Sequence, residues 1–280
     1  MKGKRLTGGV LLILASTLFF AFKPILVRIG LDQGLEPMQF VTLRLIVALP
    51  LFLITVAALG RVREMKLDAG EFWHIGLVSV TGMGGAMLFS FYSIQHLGAS
   101  VSTLVIFIFP AITTIMSYFV NGRLITGAKV LSLATSFAGL FLVILPMMST
   151  GDAVTEIAGY MPSLGLFFAL LCAFCWAGTQ VAFERLTQRQ TPFVIAVYTT
   201  GFMLAFFLIV NGVPPMDLER KTWIVILLLG SVGWYVPFIL AIYGIKMIGA
   251  SNSSIIQSLG PALTVLIAWL LLGETLFTLQ

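Results

Sequence analysis

Residues 98–122, GASVSTLVIFIFPAITTIMSYFVNG, return in altered form as residues 249–273, GASNSSIIQSLGPALTVLIAWLLLG. Gly98-Ala99-Ser100, Pro110 and Gly122 of the first stretch become Gly249-Ala250-Ser251, Pro261 and Gly273 of the second. The offset is 151 residues at every landmark. It persists upstream, where Gly82 matches Gly233 and Tyr92 matches Tyr243. The chain is an internal duplication, and a repeat fixes the architecture before any single motif is read.

Both copies are strongly apolar. Of the 280 residues, 59% are hydrophobic and 10% are charged, whereas soluble domains carry roughly a quarter charged residues. Uninterrupted apolar runs long enough to cross a bilayer recur along the chain. They show no strict alternation, so they read as helices and not as barrel strands. The 27 glycines suit helices that pack closely in lipid. The net charge of +5 comes from basic residues between apolar runs, where they set membrane orientation, and it does not imply nucleic acid. Two cysteines are too few for a disulfide framework. Residues 1–6 are basic, but the apolar run behind them is too long for a signal peptide and reads as a spanning helix.

The pattern predicts nine spans: 7–30, 37–59, 72–96, 100–121, 127–147, 162–184, 192–211, 222–246 and 251–272. Eleven Lys and Arg fall in the gaps on the N-terminal side of the membrane and three on the other, which places the N-terminus in the cytoplasm. The first copy, 1–147, holds five spans. Five is odd, so the second copy, 162–280, enters the membrane upside down, after an outside loop at 148–161 that carries Asp152 and Glu156 and no base. The fold class is therefore an all-α membrane protein built as an inverted-topology repeat of two five-helix bundles, a common plan for secondary transporters. By the offset, a tenth helix is expected from about residue 278 onward, so nine of ten helices fall within this sequence.

Two inverted five-helix copies, each with a Gly-Ala-Ser start and a mid-helix proline, resemble the EamA-type members of the drug/metabolite transporter superfamily. The second copy carries the resemblance best, through Gly249-Ala250-Ser251, Pro261 and Gly273-Glu274, and Trp176-Ala177 is similar to the family's first-helix signature. The first copy departs, with Arg123 in place of Glu274 and Phe20 in place of Trp176. The resemblance implies a transporter, with a central cavity lined by the first four helices of each half. It implies export of amino acids or other metabolites, and it leaves the substrate open.

Charged side chains within lipid cost about 2.5–3.5 kcal/mol at a helix centre, and two stand there. Lys23 lies about 20–24 Å along the first helix, and Arg44 lies about 10 Å in from the outer end of the second. The depths match, so the two could hold one anionic group; snorkelling to headgroups is the plainer alternative. Pro24 breaks a backbone bond beside Lys23. Pro110 and Pro261 are repeat-related, and paired breaks point to a site or hinge. Ser253, Gln257, Pro261 and Thr264 share one helix face, and the counterpart face of Ser102, Ile106, Pro110 and Thr113 is more apolar.

Gln180 follows Trp176 by one turn. Trp176, Trp234, Tyr235, Tyr92 and Tyr243 could form an aromatic cage. Glu184 and Arg185 fall at the expected end of their helix, where water would solvate them. Cys172 and Cys175 read as packing residues, and nothing in the pattern asks for a metal or cofactor. Gly82, Gly84 and Gly85 lie inside a span and read as close packing, not as a phosphate loop. His74 and His96 stand at opposite ends of one helix, and no H-E-x-x-H or G-x-S-x-G occurs, which argues against an enzyme.

The expected activity is alternating-access transport of a small polar metabolite, an amino acid or another organic anion, across a bacterial cytoplasmic membrane. The expected contacts are Lys23, Arg44, Trp176, Gln180, Tyr235 and Gln257, with hinges at Pro24, Pro110 and Pro261. The lipid bilayer and the substrate are the expected partners, and a homodimer stays open. A non-transporting receptor or assembly subunit is the alternative.

Overall fold

The computed structural model describes residues 2–22, 26, 36–97, 99–149 and 162–272. Lys23, Pro24, Gly98, Gly273 and Glu274 lie outside the described residues, as does nearly all of the expected loop. Described elements are helical throughout: α1 (Lys2–Ala21), α2 (Pro37–Ala58), α3 (Ala69–Leu97), α4a (Ala99–Ile106), α4b (Phe109–Asn121), α5 (Gly127–Ser149), α6 (Pro162–Arg189), α7 (Pro192–Asn211), α8 (Arg220–Ile248), α9a (Ala250–Gln257) and α9b (Gly260–Leu272). Six described helices are long and apolar enough to span a bilayer. Exposed side chains such as Phe119 and Ile209 belong on a lipid-facing surface, because water would not tolerate so much exposed apolar area.

Two features interrupt the helices at repeat-related places. The first is a pair of breaks. α4a ends at Ile106 and α9a at Gln257, each four residues before a proline. A proline ring clashes with the carbonyl four residues back and has no N–H to donate, so the helix stops and restarts. Residues 107–108 and 258–259 form the turns. The second is a pair of π-helical stretches, Val78–Gly84 within α3 and Ser231–Tyr235 within α8. Both end at the same repeat position, since 84 and 235 differ by the same 151 residues. Such π turns occur often at functional sites.

The chain forms two compact units, and neither coincides with a copy. Unit 1 takes residues 1–80 and 183–248. Within it, α1 runs against α8, and α2 packs on α7 and α8. The α1–α8 approach is close: a Cβ on Gly244 would meet the Ile13 side chain, with the Gly9 carbonyl 3.3 Å away, so small residues let the backbones meet. Phe40, Leu43, Val225, Ile226 and Leu229 form a buried cluster between α2 and α8.

Unit 2 takes residues 81–182 and 249–280. Here α4b packs on α9a, and α5 packs on α4a and both parts of α9. Gly82 of α3 lies so close to α6 that an added Cβ would overlap the Thr179 hydroxyl. The close-packing reading of the Gly82 region therefore has a specific contact.

The predicted spans match these helices with shifted ends. α6 continues to Arg189, five residues past its expected end, and that extension matters below.

Candidate functional site

In unit 2, Gln180 comes from the middle of α6 and Gln257 is the last residue of α9a, at the proline break. Their side chains meet: Gln180 Nε2 donates to Gln257 Oε1 at 2.7 Å. Gln180 is 5% exposed. Gln180 Oε1 and Gln257 Nε2 are buried and make no hydrogen bond with the described residues. Trp176 stands one turn before Gln180, so the two share a helix face. Its half-buried ring meets Phe109 edge-on at 6.3 Å, and Phe109 opens α4b after the other break.

The rest of the expected polar face is satisfied locally. Ser253 donates to the Gly249 carbonyl at 2.8 Å, and Thr264 to the Gly260 carbonyl at 3.0 Å. Sequence reasoning did not anticipate the hydroxyl contact between α4b and α9a. Thr114 uses its proton on the Pro110 carbonyl, so Ser251 donates to Thr114 Oγ1 at 3.0 Å. Nor did it anticipate Ser93 against Ser102 at 2.7 Å.

In unit 1, Arg44 is 4% exposed and its guanidinium carbon lies 4.7 Å from the centre of the Trp234 ring. A cation over an indole face is favourable, more so when desolvated. Trp234 is held in turn: it stacks on Phe238 at 4.8 Å, meets Phe20 edge-on, and donates Nε1–H to Thr200 Oγ1 at 3.5 Å. Tyr235 touches Phe52, and its hydroxyl lies 2.6 Å from Thr55 Oγ1. Thr55 gives its proton to the Leu51 carbonyl, so the tyrosine is the donor. The expected partner of Arg44, Lys23, lies outside the described residues, and Arg44 is packed against an aromatic wall.

The five rings proposed as a cage have separate partners. Trp176 meets Phe109, Trp234 meets Phe20 and Phe238, Tyr235 meets Phe52, Tyr92 meets Phe91 and Phe168, and Tyr243 meets Phe193. None pairs with another of the five among the described ring contacts.

Glu184 corrects an expectation. It is 3% exposed, not solvated, whereas Arg185 is exposed. The reason is the extension of α6. Phe183, Leu186 and Thr187 are buried around it, so Glu184 lies within the packed part of the helix.

A polar network closes one end of unit 1. Arg61 bonds Glu64 at 2.7 Å and lies over the Phe193 ring. Glu64 also accepts from Thr191 at 2.9 Å, Gln190 donates to Glu71, and Tyr198 donates to the Met65 carbonyl at 2.6 Å. The hydrogen bond from Arg61 holds the Glu64 carboxyl below its usual range, with the Thr191 bond in support. The same bond raises Arg61, aided by Tyr243.

Comparison with known proteins agrees with this architecture. The EamA-like transporter family model matches residues 7–145 and 163–280. An uncharacterized transporter of Clostridium kluyveri is 23% identical, over 96% of this chain and 86% of its own. The uncharacterized transporter YcbK of Bacillus subtilis is 24% identical, over 100% of this chain and 90% of its own. One crystal structure shares the fold with a TM-score of 0.81 at 17% identity, covering 98% of this chain and 91% of that one.

Proposed function

The chain belongs to the EamA-like transporter family, and we propose that it exports a small polar metabolite, such as an amino acid or another organic anion, by alternating access. The family and the transporter-named relatives support a multi-pass membrane transporter. The observation that carries the mechanism is the matched pair of helix breaks at 107–108 and 258–259. Discontinuous helices at corresponding positions of two repeats are where such transporters bind and rock. In this reading Pro110 and Pro261 are hinges, and Pro24 is a third.

Trp176, Gln180, Tyr235 and Gln257 contact the substrate, and Lys23 and Arg44 draw its acidic group. A desolvated guanidinium attracts an anion strongly because no water screens it. In this reading the membrane is the bacterial cytoplasmic membrane, with the N-terminus inside, an orientation that the charge asymmetry supports.

Counterflow in proteoliposomes tests this, with labelled amino acids, nucleosides and sugar phosphates offered in pools. Saturable exchange that is lost in Lys23→Ala or Arg44→Ala supports a transporter with an anion-drawing site. Exchange that survives both substitutions keeps the transporter and makes those residues structural. Ligand binding without flux favours a receptor.

A further inference from the structure

Gln180 and Gln257 hold one hydrogen-bond acceptor and one donor that their mutual bond does not use. Which amide atom is oxygen and which nitrogen is an assignment, but the conclusion does not depend on it. If both amides are turned over, Gln257 donates to Gln180 and the two free atoms exchange roles. Either way the dyad leaves one buried amide nitrogen and one buried carbonyl oxygen unbonded.

Leaving such atoms buried and unbonded costs about 1–3 kcal/mol each. A pair of leucines in their place would form an ordinary helix contact, so the two amides are suited to a polar partner.

The surroundings restrict that ligand. The charged side chains of unit 2, among the described residues, are Arg123 and Lys129. Arg123 is exposed, and the Lys129 ammonium caps the Leu124 carbonyl at 3.0 Å, at the α4b–α5 connection. An anion at the dyad would therefore have no counter-charge within its unit. Along α6 the buried Glu184 follows Gln180 by one turn, so a negative charge buried there would be uncompensated and costly. A neutral group with a donor and an acceptor on one edge fits both atoms. Trp176 stands one turn from Gln180 on the same helix face and brings an aromatic side chain to that side of α6.

We propose that the Gln180–Gln257 dyad reads the edge of an uncharged carboxamide or lactam on the transported molecule. The ligand carbonyl accepts from one glutamine, and the ligand N–H donates to the other. This rests on the transporter reading above and names the chemistry its substrate carries.

The test is counterflow in proteoliposomes with labelled glutamine, uracil and glutamate, on the wild type and on the double variant Gln180→Leu/Gln257→Leu. The double variant leaves no orphaned polar atom, so its melting temperature should stay level or rise. Wild-type exchange of glutamine or uracil at least about tenfold above glutamate, lost in the double variant, is the expected result, because sites built to hydrogen-bond reject analogues that cannot reply. Uracil exchange would assign a lactam, and glutamine exchange a primary amide.

Exchange retained by the double variant overturns the proposal, since the dyad would then be a helix contact or a water site. Exchange of glutamate or another anion without glutamine or uracil overturns it too, and leaves the transporter standing. Folded protein that moves none of the three probes and none of the pooled solutes overturns both readings.

Discussion

α4 and α9 are copies of one helix 151 residues apart, and both stop four residues before a proline. At the last residue before the stop, the first copy has Ile106 and the second has Gln257. The backbone interruption is thus duplicated while its chemistry is not. Proline explains the shared part, because it dictates the break in any side-chain context. The difference teaches where selectivity can lie: a break supplies movement or exposed backbone in both halves, but only the second half places an amide there. A substrate without symmetry needs such inequality.

Substitution at the two stops should separate chemistry from mechanics. Gln257→Leu orphans Gln180 and should lower exchange at least about tenfold, the loss typical when a hydrogen-bonding site is left unpaired. Ile106→Leu nearly conserves volume and should cost under about 1.5 kcal/mol of stability, with exchange unchanged. Equal losses at both positions would show that the comparison is about packing, not recognition.

Pro110→Ala and Pro261→Ala come next in size. Each restores an N–H and lets its helix run through, so stability should hold or rise while turnover falls by a few-fold, as for hinge changes that slow a conformational step. Because the breaks match, the two losses should be similar, and turnover unchanged in both would remove the hinge reading.

Much of this was legible in the sequence for one reason: a constant offset converts two weak signals into one strong signal. The repeat and the paired proline breaks follow from it, while the spans follow from the apolar runs. What stayed hidden had no such partner. Gln180 and Gln257 are 77 residues apart and are not repeat mates, so each could be singled out as polar in an apolar helix while their contact could not. Arg44 and Trp234 were each visible, but their stacking depends on the approach of α8 to α2. Glu184 was misjudged because hydropathy falls where charge begins, and α6 keeps packing beyond that point. The π-helical stretches have no propensity signal of their own, and only the matched glycines Gly82 and Gly233 marked the place.

Those glycines give a finer version of the same comparison. An added Cβ at Gly82 would overlap the Thr179 hydroxyl of α6, whereas at Gly233 the nearest atom is Leu229 Cδ2 at 3.5 Å, on the far end of a flexible side chain. Thr179 also donates to the Cys175 carbonyl at 2.8 Å, so it cannot simply swing away. Gly82→Ala should therefore destabilise by about 1–3 kcal/mol, as overpacking does. It should also disturb exchange, because Thr179 precedes Gln180. Gly233→Ala should be neutral, or stabilising by up to about 1 kcal/mol through helix propensity. Thermal unfolding of the two variants in one detergent decides it, and equal shifts would mean that α3 and α8 are packed alike at this point.

The smallest effect lies in the Arg61–Glu64–Thr191 network, which is not duplicated, since the repeat positions of Arg61 and Glu64 hold Gly212 and Pro215. Glu64 is held below its usual carboxylate range, first by Arg61. A carboxyl with a depressed folded value contributes stability that is present above its unfolded value, about 4.3, and is lost as pH falls through the depressed value. The site is solvent-exposed, so the contribution is screened and small. Glu64→Gln should leave unfolding at pH 7 almost unchanged and should flatten the acid side of the stability curve. An equally steep acid limb in Glu64→Gln would mean that other carboxylates set the acid sensitivity of this protein.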